Sequence, residues 1–334
     1  MPWENLKSMF RPETVHMGVM KADAEKCVRC GLCFENCPLR AWERDEDGAP
    51  KMTAKCGCFS CFNCMVVCPT DAISIVDGYH VDEGFYRTDP HPLPNRMPCE
   101  PKDARGNPAE WTPTERDMYE RRSVRNFKDD PVPETLIRRV LEAGRFAPSG
   151  GNCQPWKFVV VTDKALIQEM DASVYAVLAG MHAMYKNDEQ AKTMLVPMYE
   201  ARPSPGLYDP RVIQGGVASI AAAVLPPFLK APVVILVACD ERAIGGPQIA
   251  AGICGQNMIL AAKAIGLGAC WIGFSQVIEM VPPLKAKLGL ASPWVISTAV
   301  VLGYPKFKQE GIVPRELRPI TWFREGSKAP EIEE

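Results

Sequence analysis

The chain has 334 residues, 47% hydrophobic and 23% charged, with a formal net charge of −2 and a pI near 6.2. That balance argues against a nucleic-acid-coating or polybasic membrane-surface protein, and the length exceeds one usual domain, so two domains are expected. Of 14 cysteines, most crowd into residues 27–68, whereas disulfide scaffolds belong to short secreted chains. The opening MPWENLKSMFRPETVHMGVM has no basic segment followed by an apolar one, so a cytoplasmic protein with reduced thiols is expected.

Residues 27–38 read CVRCGLCFENCP and residues 58–69 read CFSCFNCMVVCP. Structural zinc favours two C-x₂-C pairs separated by a longer loop. Three cysteines at successive x₂ spacings, then a fourth after x₃ and a proline, is the iron–sulfur pattern in which the fourth thiolate crosses to a second cluster. By that rule Cys27, Cys30, Cys33 and Cys68 hold one [4Fe–4S] cluster, and Cys58, Cys61, Cys64 and Cys37 hold the other; zinc or purely structural thiols are the alternatives. The pattern resembles the bacterial two-cluster ferredoxins over roughly residues 15–80. HMGVM and AISIV flank the runs as short strands. PLRAWERDEDGAPKMTAKCG, between them, has room for a short helix and a hairpin turn at Asp47-Gly48. Cys56 reads as a packing residue and not as a ninth ligand. The ferredoxin-like module is placed at residues 1–88.

From Asp89 to Pro113 the chain is proline-rich and extended, a semi-rigid linker able to drape the module over the second domain; Cys99 within it has no evident role. Residues 114–334 mix helix and strand patterns. PETLIRRVLEAGR places apolar residues on one helix face between Pro133 and Gly144, and KFVVV (157–161) reads as a strand. Residues 215–240 look like a membrane span, but Lys230, Pro226, Pro227 and Pro232 interrupt them; a helix to about Val224 and a strand at 233–238 are expected instead. QIAAGICGQNMILAAKAIGLG is a long apolar helix ending at glycine, and ACWIG and WVISTAVVLGYP are further strands. The fold class expected is α+β, the second domain being a sandwich of helices on a sheet.

RRSVRNF (121–127) puts three arginines and a hydroxyl in five positions. Guanidinium groups pair bidentately with phosphate, although a solvated basic surface reads the same way. APSGGNCQPWKF (147–158) comes after a helix, with small residues that let backbone approach a flat ligand. GLGACWIGF (266–274) sets strand amides after a buried helix, and LGYP precedes Arg315. In this order, these pieces resemble the FMN-dependent nitroreductase family over roughly 114–325. The resemblance implies that Arg121, Arg122, Ser123 and Arg125 clasp the FMN phosphate, ribityl chain and ring edge. It implies too that Pro148, Ser149 and Asn152 line the isoalloxazine, that Trp271, Ile272 and Gly273 lie against the ring, and that Arg315, or more weakly Lys306, closes on the phosphate. It further implies an intertwined homodimer whose two FMN sites draw on both subunits. Residues 171–227, rich in Met and Tyr, match no family motif and read as a lid-like insertion.

No G-x-G-x-x-G is present, GLGACW failing at its sixth position, and no Walker A run; NAD(P)H could still stack on the flavin. With four histidines (His16, His80, His91 and His182) and only the last in the second domain, a Ser-His-Asp hydrolase is unsupported. Cys153 reads as packing before redox thiol, and Cys239, Cys254 and Cys270 as packing. A cluster–flavin pair converts single-electron into two-electron chemistry. The expected flow is from a low-potential donor such as ferredoxin, through the clusters to FMN, then to a nitroarene, quinone, activated alkene or haloaromatic, with Tyr208 a candidate proton donor. Reverse flow from NAD(P)H to an acceptor protein, and a redox sensor, are the rivals; no basic recognition helix supports the latter.

Overall fold

The computed structural model describes residues 3–7, 12–53, 57–87, 93–201, 209–316 and 318–333. Cys56 and Tyr208 lie outside the described residues.

The N-terminal module is built twice over. Each cysteine run bends through paired left-handed residues, Arg29 and Gly31 in the first and Ser60 and Phe62 in the second. Each then forms one helical turn, α2 (Leu32–Asn36; α1 is Trp3–Lys7) and α3 (Asn63–Val67). Both turns stop at the fourth cysteine, which is extended (ψ 116° at Cys37, 119° at Cys68) because Pro38 and Pro69 come next. Antiparallel ribbons frame the runs: β1 (Val15–His16) with β6 (His80–Val81), β2 (Val19–Ala22) with β5 (Ile73–Asp77), and β3 (Trp42–Arg44) with β4 (Pro50–Met52). The expected strands and the hairpin at Asp47-Gly48 are present. The helix expected between the runs is not, among the described residues: Pro38, Gly48 and Pro50 leave room only for the β3/β4 hairpin, and the helical turns sit inside the runs.

The described linker is only partly extended: it turns back on itself at residues 103–106, where Lys102 bridges Pro108 and Asp103 N donates to Asn107 O (2.9 Å). Arg96 forms a bridge with Arg315 through Arg96 N to Arg315 O (3.0 Å) and Arg315 N to Arg96 O (2.8 Å). Helix α4 (Pro113–Glu120) then starts at a capping box formed by Thr112 and Glu115.

The second domain is an antiparallel sheet in the order β7 (Trp156–Val161), β8 (Val233–Asp240), β10 (Trp294–Gly303), β9 (Gly268–Ile272). Alternation along the strands fills two cores. Val234, Leu236, Cys270, Ile272 and Val301 face α6 (Lys164–Tyr185) and the turn at Gly273–Met280. Val233, Ile235, Cys239, Ala269 and Leu302 face α5 (Glu134–Arg145) and α9 (Pro247–Ala264). The three cysteines expected to pack, Cys239, Cys254 and Cys270, are all buried. Two short helices, α8 (Ala218–Ala221) and α10 (Pro282–Lys287), and a terminal ribbon of β11 (Ile320–Trp322) and β12 (Glu331–Glu333) complete the chain.

The stretch expected to be a lid divides in two. Helix α6 begins before it and buries Ile167, Met170, Val174 and Leu178 against the sheet, so its first part is a core layer and no cover. Helix α7 (Asp188–Ala201) packs Ala191 and Leu195 against Leu6 and Met184. Among the described residues, no helix is long and apolar enough to cross a membrane.

Candidate functional site

The arginine segment runs along the outer edge of β9. Val124 N donates to Ala269 O (3.0 Å), Lys128 N to Tyr304 O (2.9 Å), and Lys306 N to Asn126 O (3.0 Å). The approach needs glycine at 268, where a Cβ would lie 2.8 Å from the Val124 side chain. These contacts unite three separate sequence pieces, and the bridge to the linker adds Arg315. Burial, then Arg315, hold the Arg121 pKa down; burial, then Arg315 and Arg121, push Arg122 down to about 10. Arg122 Nε and Nη1 are sealed from solvent and make no hydrogen bond. A guanidinium stays charged at physiological pH, so its burial beside two further cations calls for an anion. The adjoining cavity, about 690 Å³, is lined by Arg121, Arg122, Lys128, Lys306 and strand backbone from Gly268. Lys263 also lines it but is occupied by Asp117 (2.8 Å) and Glu120 (3.3 Å). A phosphate monoester fits this donor set.

The other expected flavin-lining residues fall in two places. Trp271 and Ile272 lie on β9 beside the arginines, but the Trp271 indole packs over Gly255 of α9 and Ile272 points into the opposite core; the strand offers backbone here. Gly273 has open space where a side chain would be. Pro148, Ser149 and Asn152 come after α5 and sit next to β7, where Gly150 packs against Gly245. Ser149 Oγ accepts from Gln154 N (2.9 Å), and Asn152 is left-handed (φ 54°). Strands β7 and β9 are the two opposite edges of the sheet, three spacings or roughly 14 Å apart. One chain therefore does not bring Ser149 and Asn152 to the arginines.

The eight thiols gather into two groups, each drawing its fourth member from the other run. Cys27, Cys30, Cys33 and Cys68 line one small cavity. Burial, then Cys61 and Cys37, push the Cys58 thiol up to about 12, and Cys64 is raised by burial and by Cys61, Cys58 and Cys37. Burial likewise pushes Cys33 up to about 11. Thiols that oppose one another's ionisation can be thiolates together only around a positive centre. All eight are free of disulfides. Backbone amides already donate to sulfur: Ala41 N to Cys37 Sγ (3.3 Å), Ala72 N to Cys68 Sγ (3.3 Å) and Ser60 N to Cys58 Sγ (3.4 Å). This is the donor set an iron–sulfur cluster uses.

The two regions meet directly. Asn63, 2% exposed and one residue before Cys64, donates to Ser123 O (2.9 Å). Asn126 Nδ2 donates to Asn36 O (3.1 Å), Gln309 Nε2 to Asn36 Oδ1 (3.1 Å), and Asn36 Nδ2 to Asn63 O (3.1 Å). The Arg125 guanidinium lies over the Phe59 ring at 5.1 Å. Glu310 N donates to Val66 O (3.1 Å), and Val313 is buried in the N-terminal core with Met20, Trp42 and Phe62. Sequence reasoning passed over Asn36, Asn63, Asn126 and Gln309. The one signal, for Asn36 and Asn63, was a neutral polar residue placed directly before a cysteine in both runs, in ENC and FNC.

Residues 118–304 match the nitroreductase family, and residues 20–43 match the 4Fe-4S binding domain. The chain is 28% identical over 228 residues to a nitrobenzene nitroreductase of Ectopseudomonas oleovorans, covering 62% of this chain and 94% of that one. It is 30% identical over 212 residues to an NADH dehydrogenase of Thermus thermophilus, covering 60% and 92%. A solved nitroreductase with bound FMN from Desulfitobacterium hafniense is 26% identical, with a TM-score of 0.46 over 61% of this chain and 95% of that one.

Proposed function

Given that the chain belongs to the nitroreductase family, carries a 4Fe-4S binding domain and is an FMN- and iron–sulfur-dependent oxidoreductase, we propose that it takes electrons from a low-potential donor, carries them across two [4Fe–4S] clusters to FMN, and delivers them to a small flat electrophile. Clusters exchange one electron at a time, whereas FMN handles one or two; nitroarenes, quinones, activated alkenes and haloaromatics suit such a pair. The observation that carries the proposal is the junction: Asn63, beside Cys64, hydrogen-bonds the backbone of Ser123 within the arginine segment.

The chain's own residues divide the work. Cys27, Cys30, Cys33 and Cys68 hold the outer cluster, with Cys30 exposed and so nearest to a docking donor protein. Cys58, Cys61, Cys64 and Cys37 hold the inner one. Arg121, Arg122 and Arg315 neutralise the phosphate, and Arg125 and Ser123 join that grip to the inner cysteine run. Trp271, Ile272 and Gly273 supply backbone along the cofactor edge. Because Pro148, Ser149 and Asn152 lie at the far edge of the sheet, they complete the site of a second copy, which makes a homodimer the working unit. Residues 1–88, 89–113 and 114–334 serve as cluster module, linker and flavin domain, with Val313 returning to the first; the protein works in the cytoplasm.

The test is anaerobic reconstitution followed by stopped-flow reduction. We expect one FMN and about eight irons per chain, four for each cluster, and flavin bleaching by reduced ferredoxin. Four irons or fewer would remove one cluster from the proposal. Rapid bleaching by NADH with none by ferredoxin would reverse the direction of flow, in keeping with relatives named NADH dehydrogenase.

A further inference from the structure

The β1/β6 ribbon carries a cluster of ligating side chains that neither cofactor uses. His16 and His80 are cross-strand partners whose rings stack at 4.6 Å, and Asp77 ends the adjacent strand β5. One ligand atom from each of His16, Asp77 and His80 lies within 4.8 Å of the other two. His16 Nε2 is 3.1 Å from Asp77 Oδ2, and His80 Nδ1 is 3.9 Å from Asp77 Oδ1 and 2.8 Å from Gly78 O. A tetrahedral ion with arms of about 2.0–2.1 Å needs donor-to-donor edges of about 3.3–3.4 Å, which these distances bracket.

Two details favour a cation over a set of hydrogen bonds. His16 Nε2 is sealed from solvent and makes no hydrogen bond, although Asp77 Oδ2 stands 3.1 Å away. On the far side of the second ring, His80 Nε2 sits 2.9 Å from Asp82 Oδ1. A carboxylate there fixes the Nε2–H tautomer, as the outer carboxylate does in carboxylate–histidine–metal triads. With the proton on Nε2, His80 Nδ1 can turn its lone pair to an ion held among Gly78 O and the Asp77 carboxylate; without an ion, a proton on Nδ1 donates to Gly78 O (2.8 Å) instead.

We propose that His16, Asp77 and His80 form a binding site for a divalent metal ion of the zinc class, with Gly78 O or solvent as fourth ligand and Asp82 as the orienting partner. Two borderline nitrogen donors and one carboxylate suit zinc better than calcium or magnesium, which prefer all-oxygen shells. The place of the site gives it a structural role. Two residues after His16, Gly18 N donates to Cys58 O (2.8 Å), and Tyr79 N, one residue before His80, donates to Ser60 Oγ (3.0 Å). The Tyr79 hydroxyl also donates to Arg211 O in the second domain. The ion thus ties together the two arms that cradle the second cysteine run. The inference stands whatever the direction of electron flow.

The experiment is equilibrium dialysis of the cofactor-loaded protein against zinc chloride under anaerobic conditions, with zinc, iron and FMN quantified. A Cys99→Ser/Cys153→Ser background keeps the exposed thiols out of the measurement. We expect one zinc per chain beyond the iron, an affinity at least tenfold weaker in His16→Gln and His80→Ala, and about 10- to 100-fold weaker in Asp82→Ala, with iron and FMN unchanged. If His80→Ala sheds iron as well, His16→Gln, with a side chain of similar reach, decides. No zinc uptake by the parent protein, or equal uptake by parent and His16→Gln, overturns the site.

Discussion

Asn63 Nδ2 lies 2.9 Å from the carbonyl oxygen of Ser123, and each residue adjoins a segment proposed to hold a cofactor: Asn63 precedes Cys64, and Ser123 sits between Arg122 and Arg125. A buried amide in this place fixes the distance between the two halves. Replacing Asn63 with Leu leaves the Ser123 carbonyl without this partner, at about 1–3 kcal/mol. We predict slower flavin reduction by reduced ferredoxin, read in stopped flow, with unchanged iron and FMN. An unaltered rate would show that electrons do not depend on this junction.

Arg122 trades stability for binding. Its Nε and Nη1 are sealed from solvent without a hydrogen-bond partner, and the guanidinium is repelled by Arg315 and Arg121. In flavin-free protein, Arg122→Met should raise stability by about 1–3 kcal/mol by removing that charge, seen as a higher melting temperature. The same variant should bind FMN more weakly by tenfold or more, measured by fluorescence titration. Weaker binding without the gain in stability would indicate that the charge is relieved elsewhere.

The crossed grouping of thiols separates cleanly from a run-by-run grouping. If Cys27 and Cys68 serve one cluster, Cys27→Ala/Cys68→Ala loses about half the iron, four of about eight atoms. Near-complete loss would place the two cysteines in different clusters.

Asp171, on α6, accepts from Phe228 N at 2.8 Å. Burial raises its pKa, and the Phe228 amide and Lys230 only partly oppose the shift. The folded-state pKa therefore exceeds the unfolded one, near 3.9. The group's favourable contribution is complete below that unfolded value and is lost as pH rises through the folded one. Asp171→Asn keeps the acceptor and removes the charge. Its denaturant midpoint should match the parent in acid and exceed it at neutral pH; a constant offset would contradict this.

The gathering of the thiols was legible because it is written in short, rigid spacings. Cys27 to Cys37 and Cys58 to Cys68 carry their own geometry, and the proline after each run sets where the helical turn ends. Helices α5 and α9 were legible from apolar periodicity. The partition of the flavin pieces was not: Arg121 and Ser149 are near in sequence, yet strand order sends them to opposite edges of the sheet, and strand order is a long-range property. The junction was hidden for a related reason. Asn36 and Asn63 look ordinary until Ser123, Asn126 and Gln309 arrive from distant parts of the chain. The 171–227 stretch misled because Met and Tyr suit a mobile cover and a buried helix equally well.

Val313, buried among Met20, Trp42 and Phe62, imposes an order on biogenesis. A ribosome releases the cysteine runs early, but the residue that seals their apolar interior emerges only after the whole four-stranded sheet has been made. The iron-loading machinery of the cell therefore meets an unsealed module throughout synthesis. A finished module is obtained only once residue 313 has been made, which ties the sealing of the cysteine runs to the synthesis of the sheet that comes before it.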